Sequence, residues 1–204
     1  MGIKGLLSYI KSQSLHNRLP LQPLASGSHL LIDGNGYVFA LLQYLNDQEM
    51  ECSYAQFRNI ITRELEFLQI HLGLCVTIFF DGPDRRLKAD TDHQRNLSRM
   101  DTWIELSNIF AHNKPWSRSQ LPLPVLLHIQ MKICLSELGV HVICCDGEAD
   151  QEMALVCSHH RAQGLASYCY AEDSDFWCMK DIGYIKFADL TSAANSDANF
   201  WQLL

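Results

Sequence analysis

The chain has 204 residues, 48% hydrophobic and 19% charged. That suits one compact domain and excludes a disordered chain, because there is ample apolar surface to offset the ordering entropy. The formal charge of −7 excludes a protein that coats nucleic acid through a broad basic surface, yet it leaves room for an acidic site offset by bound cations.

In chain order, the N-terminal run Met1-Gly2-Ile3-Lys4-Gly5-Leu6-Leu7 lacks the apolar stretch of a signal peptide. It has Leu6 where a myristoylation site wants Ser or Thr. No run of 18 apolar residues follows, so no membrane span is expected and the chain reads as soluble and intracellular. Ile3, Leu6, Leu7 and Ile10 share one helical face. His29–Asp33 reads as a buried strand ending in a carboxylate, and residues 36–46 as a buried helix. Phe57, Ile60, Ile61, Leu65, Leu68 and Leu72 repeat at helical spacing, with Gly73 as the stop. Cys75–Phe80 is a β-branched and aromatic strand running into Asp81. Pro124 opens a helix that ends at Gly139. Residues 140–145 form the next strand, 148–163 the next helix, and 168–171 a short strand that leads into Glu172-Asp173-Ser174-Asp175. The stretch 96–121 is polar, carries Trp103, Phe110 and Trp116 without clear periodicity, and reads as an insertion over the sheet.

Alternating strands and helices with short connections predict an α/β fold: three layers, a mostly parallel central sheet with helices on both faces. Of the eight cysteines, Cys75, Cys134, Cys144, Cys145 and Cys157 fall inside expected elements, and no CxxC pair exists. Buried free thiols in a reducing compartment are expected; zinc held by Cys157, His159 and His160 lacks a recognised spacing.

The position of the acids is the informative feature. Asp33 ends the first strand and Asp81 follows the second. Glu148 and Asp150 follow the third, and Asp173 and Asp175 the fourth. In a parallel sheet the C-terminal strand ends share one edge, where ligands bind, so six carboxylates converge there. Two like charges about 4 Å apart repel by roughly 4 kcal/mol at an effective dielectric near 20. Such a cluster calls for bound cations, and its hard oxygens suit Mg²⁺ or Mn²⁺ rather than zinc. Two such ions about 4 Å apart can activate a water and stabilise the leaving oxygen of a phosphodiester. Each acid also has a plainer reading: Asp33, Asp81 or Asp173 as a helix cap, and Glu148 as a first-turn acid favoured by the helix dipole.

Four segments together resemble the flap endonuclease and XPG superfamily, whose nuclease domain is PIN-like. They are Met1-Gly2-Ile3-Lys4-Gly5-Leu6, Leu31-Ile32-Asp33-Gly34, Phe79-Phe80-Asp81-Gly82, and Gly147-Glu148-Ala149-Asp150 with Glu172-Asp173-Ser174-Asp175. Among subgroups the chain is most similar to the Asteroid proteins, on Leu121-Pro122-Leu123-Pro124-Val125-Leu126 and Glu172-Asp173-Ser174-Asp175-Phe176. The resemblance implies a nuclease core over residues 1–190, an arch-like insertion at about 84–121, and a tail at 191–204. It implies metal ligands at Asp33, Asp81, Glu148, Asp150, Asp173 and Asp175 for two Mg²⁺ or Mn²⁺ ions, with Asp150 replacing the usual Glu. Lys88 and Arg95, seven and fourteen residues after Asp81, match the family's cations on the scissile phosphate. Their spacing puts them on one helical face; a solvated basic helix with Arg85, Arg86 and Arg99 is the plainer alternative. Nucleic-acid contacts are implied for Gly2, Lys4, Phe39, Lys88 and Arg95, where Phe39 matches a base-stacking aromatic but reads equally as core. Trp103, Phe110 and Trp116 either stack bases or, more simply, pin the insertion to the core.

The resemblance also has departures. The family's helix–two-turn–helix element and seventh carboxylate have no match here; Asp189 and Asp197 lack the motif's context. The implied function is a metal-dependent, structure-specific or single-strand DNA nuclease, with single-stranded, flap or overhang DNA as partner, RNA as a second candidate, and a nuclear setting in DNA repair. The alternative is a catalytically weak or inactive Asteroid-like module serving in protein or RNA assembly. A phosphohydrolase with Asp33 as nucleophile would need a second Asp two residues on, where Asn35 stands. No GxxxxGK, HExxH or GxSxG element is present.

Overall fold

The protein is described by a computed structural model over residues 6–12, 24–42, 54–83, 89–115 and 126–187. Among these described residues five strands, β1 (His29–Asp33), β2 (Cys75–Phe80), β3 (His141–Cys144), β4 (Ser167–Ala171) and β5 (Tyr184–Lys186), form one sheet in the order β3-β2-β1-β4-β5. Every neighbouring pair is parallel. The helices are α1 (Leu6–Ser12), α2 (Gly34–Leu42), α3 (Tyr54–Glu66, continued by a π turn over Phe67–His71), α4 (Ala89–Ala111), α5 (Leu127–Glu137) and α6 (Ala149–Ala162). A 3₁₀ turn spans Ser174–Cys178.

Strand alternation sorts the core into two layers. Leu30 and Ile32 of β1, Val76, Ile78 and Phe80 of β2, and Tyr170 of β4 face α2, α3 and α5. Leu31, Phe79, Cys169 and Ala171 point the other way, onto Ala149, Met153 and Cys157 of α6 and onto Phe176. Both faces of the sheet are therefore covered, as the continuous apolar strands predict. This is the three-layer α/β fold expected from the sequence, with a central sheet that is parallel throughout.

Several elements differ from the sequence reading. β5 was not expected; it adds three residues beside β4. The helix expected from residue 36 already begins at Gly34. Within the expected insertion, Ala89–Ala111 is a continuous 23-residue helix, α4, because no glycine or proline falls between Pro83 and Pro115 to interrupt it. Trp103 and Phe110 are 49% and 48% exposed on it, while Leu106 is buried. Cys134, Cys145 and Cys157 are buried free thiols, whereas Cys75 and Cys144 are exposed. Cys75 opens its strand at the rim and Cys144 ends the edge strand β3. Among the described residues no helix is long and apolar enough to cross a membrane.

Candidate active site

The strand order places a switch point between β1 and β4: the chain steps outward from β1 to β3, then returns past β1 to begin β4. Crevices for ligands form at such points, beyond the C-terminal strand ends. Register fixes the acids there. Asp33 is level with Phe79, so Asp81 lies two residues further on, just past the end of β2. Ile32 is level with Tyr170, which puts Asp33 level with Ala171 and Asp173 again two residues further on. Asp81 and Asp173 thus flank Asp33 symmetrically on the two neighbouring strands.

Each of the three carboxylates is also tied to a helix start. Asp33 accepts the Asn35 amide on Oδ1 at 3.0 Å and the Gly36 amide on Oδ2 at 3.1 Å, capping α2. A Cβ on Gly36 would stand 2.5 Å from Oδ2, so only glycine lets the carboxylate lie this close to the backbone. Asp173 Oδ1 accepts the Asp175 amide at 3.1 Å and caps the 3₁₀ turn, while Tyr184 of β5 donates its hydroxyl to the Asp173 carbonyl at 2.9 Å. Asp81 Oδ1 accepts the Ala149 amide at 2.9 Å and so caps α6. Glu148 occupies the N-cap position of α6 in extended conformation, but its own side chain makes no cap. Asp150 lies in the first turn of α6 and Asp175 in the 3₁₀ turn. All six acids are half-buried. α1 packs against the 3₁₀ turn, at the same edge.

The electrostatics reflect this crowding. The Asp33 carboxyl is pushed up to about 6; burial contributes most, and Asp81 and Asp173 add repulsion against the two backbone hydrogen bonds. Among the described residues no ion pair offsets this carboxylate, and a hard divalent cation would favour its charged form. The donor chemistry therefore fits Mg²⁺ or Mn²⁺. The side chains do not close around a point, however: among the described residues no three of His, Cys, Asp and Glu stand ready to hold an ion. That includes Cys157, His159 and His160. Cys157 is buried with its thiol donating to the Ser167 carbonyl at 3.3 Å, and His159 is exposed beside Gln163.

Neither a family model nor a curated protein matches the sequence. Solved structures do. The chain aligns with "The catalytic core of Rad2 in complex with DNA substrate (complex III)" at a TM-score of 0.54 and 17% identity, over 89% of this chain and 50% of that one. Complex IV of the same core aligns at a TM-score of 0.52 and 15% identity, over 88% and 48%. The fold is that of the Rad2 catalytic core. Identity this low establishes the fold and nothing finer, and the chain spans about half the length of the Rad2 cores it matches.

On this Rad2-like frame the expected cations are only partly placed. Gly2, Lys4 and Lys88 lie outside the described residues, as do Trp116, Asp189 and Asp197. Arg95 is half-buried on α4. Phe39 is not core: half its surface is exposed on α2. Its ring lies 6.5 Å from that of His128, edge to face. His128, in the first turn of α5, was not singled out from the sequence. Burial, Lys132 and Arg99 hold it below its usual pKa, against the opposing pull of the nearby Asn35 backbone and Asp81. The contact depends on α5 packing against α2, so no local signal in the sequence announces it.

Proposed function

We propose that the chain is a divalent-metal-dependent nuclease that hydrolyses phosphodiester bonds in DNA, single-stranded or structured. The observation that carries this reading is the position of Asp33, half-buried at the switch point between Asp81 and Asp173, where burial first and then these two neighbouring carboxylates push its carboxyl up. The fold shared with a catalytic core whose structure holds a DNA substrate supports it. Asp33, Asp81, Glu148, Asp150, Asp173 and Asp175 would hold two Mg²⁺ or Mn²⁺ ions, which when bound supply an activated water and a charge sink for the leaving oxygen. Lys88 and Arg95 grip the scissile phosphate, and the exposed Phe39 stacks a base. Gly2 and Lys4 contact the same strand. The Asteroid-like placement and a nuclear setting belong to the same proposal.

A second reading has its own observation. Asp33, Asp81 and Asp173 all serve as caps, and the described side chains form no closed ion site. On that reading the acids hold helix starts and the fold is a non-catalytic assembly module. One experiment separates them. End-labelled single-stranded, 5′-flap and 3′-overhang DNA, with single-stranded RNA alongside, is incubated with Mg²⁺ or Mn²⁺, wild type beside Asp173→Asn/Asp175→Asn. Metal-dependent cutting lost in the double variant is expected. No cutting of any substrate by folded wild type removes the nuclease reading.

A further inference from the structure

The acidic edge of a chain with net charge −7 repels a polyanion, so a nucleic-acid strand needs local cations beside it. Those considered so far lie on or before α4. The structure brings a different set together on the α5 side.

His128 and Lys132 are four residues apart on α5 and so share one helical face. The Lys132 ammonium sits 4.7 Å from the centre of the Phe80 ring, and Phe80 is the last residue of β2, directly before Asp81. His128 contacts the Asn35 backbone within the turn that carries Asp33, and its ring meets the exposed Phe39. Arg99 of α4 lies close enough to bear on His128. Among the described residues no carboxylate pairs with Lys132 or Arg99. We propose that His128 and Lys132, joined by Arg99 of α4, form a phosphate-binding subsite that holds a polynucleotide strand beside the acidic edge. It rests on the nuclease reading for the identity of the ligand as a phosphodiester strand.

The chemistry is simple. Lys132 offers a point charge, held in place by its stem and by the Phe80 ring. His128 offers a ring N–H donor, and Arg99 a planar fork that suits phosphate oxygens. A purely structural Lys132 would act through its ammonium over the Phe80 ring and would leave the salt dependence of strand binding unchanged, so the salt slope is the readout that separates the two roles. Lys132→Met keeps the aliphatic stem and removes the charge.

The test is fluorescence anisotropy with a labelled single-stranded oligodeoxynucleotide in Ca²⁺, across a salt series. Wild type is set beside Lys132→Met, His128→Gln, Arg99→Met and Lys180→Met. Lys180, far out in solvent, controls for general charge loss. Lys132→Met and Arg99→Met are expected to weaken binding about three- to tenfold and to flatten the log–log salt dependence by about 0.7 each, the single-strand value for one phosphate contact. His128→Gln should weaken it with less change in slope, and Lys180→Met should match wild type. Arg99 is exposed on its helix, so Arg99→Met keeps the test open if an α5 variant fails to fold. Wild-type affinity in both Lys132→Met and Arg99→Met overturns the subsite, as does wild type that binds no strand. Wild type that binds through these residues yet never cuts with Mg²⁺ or Mn²⁺ overturns the nuclease reading and leaves the subsite standing.

Discussion

Asp81, at the end of β2, caps α6 at Ala149, a helix that begins 68 residues further along the chain. The usual N-cap position is held by Glu148, whose side chain does not cap. One carboxylate therefore fixes the start of the helix that carries Asp150 and contributes charge to the acidic edge. Two substitutions separate those roles. Asp81→Asn keeps an oxygen for the Ala149 amide and removes the charge, whereas Asp81→Ala removes both. In EDTA both variants relieve the repulsion on Asp33, and Asp81→Ala is expected to be about 1 kcal/mol less stable than Asp81→Asn, read by urea denaturation. Equal stability in the two variants would show that the cap contributes nothing.

Asp173 bears on Asp33 from the opposite strand. Asp173→Asn keeps the acceptor for the Asp175 amide and takes one negative charge from the crowded edge. Without divalent metal the variant is expected to melt about 2–4 °C above wild type, on the order of 1 kcal/mol of relieved repulsion. With millimolar Mn²⁺ the order should reverse, because wild type gains more from the cation. A variant that melts with wild type in both conditions would mean that the two carboxylates do not interact.

β1 and β2 were legible to the residue because each is an apolar run closed by a carboxylate and a glycine. β5 was not: its three residues, Tyr184–Lys186, have too little pattern, and pairing with β4 defines them. α4 was hidden because its apolar residues are spread around much of the helix, so periodicity fails; the missing breakers between Pro83 and Pro115 were the usable signal. The acids at the strand ends could be read from spacing, since a parallel sheet gathers those ends on one edge. That Asp81 caps α6, and that His128 meets Phe39, could not. Both contacts join segments far apart in the chain, through packing that no local pattern records.

Glu64 lies on α3 with 6% of its surface exposed. Burial pushes its carboxyl from 4.5 up to about 7. Below pH 4.5 both folded and unfolded states hold the proton. Between 4.5 and about 7 the folded state keeps it and the unfolded state has lost it, so stability falls as pH rises through this window. The total is on the order of 3 kcal/mol, fully lost above pH 7. Glu64→Gln removes the ionisation. The variant is expected to exceed wild type in stability at pH 8 and to match it near pH 4.5, measured by denaturant titration at each pH. A difference that stays constant with pH would place the charge of Glu64 in solvent.

Gly82 follows Asp81 in a place where no side chain fits. A Cβ there would collide with the backbone carbonyl oxygens of Cys145 and Asp146, which cannot swing aside as a flexible side chain could. The Gly82 amide also donates to the Gly147 carbonyl at 2.7 Å, so the segments after β2 and β3 are held together at the edge where Glu148 begins α6. Gly82→Ala must push these two segments apart. Overpacking of this kind costs about 1–3 kcal/mol in cores, and backbone on both sides puts this position at the upper end. The same displacement would move Asp81 away from the Ala149 amide, so the variant should lose divalent-metal stabilisation along with global stability. The measurement is denaturant unfolding with and without Mn²⁺. A Gly82→Ala protein as stable as wild type, and equally responsive to Mn²⁺, would show that the β2 and β3 ends tolerate separation and that the close approach has no part in holding the acids.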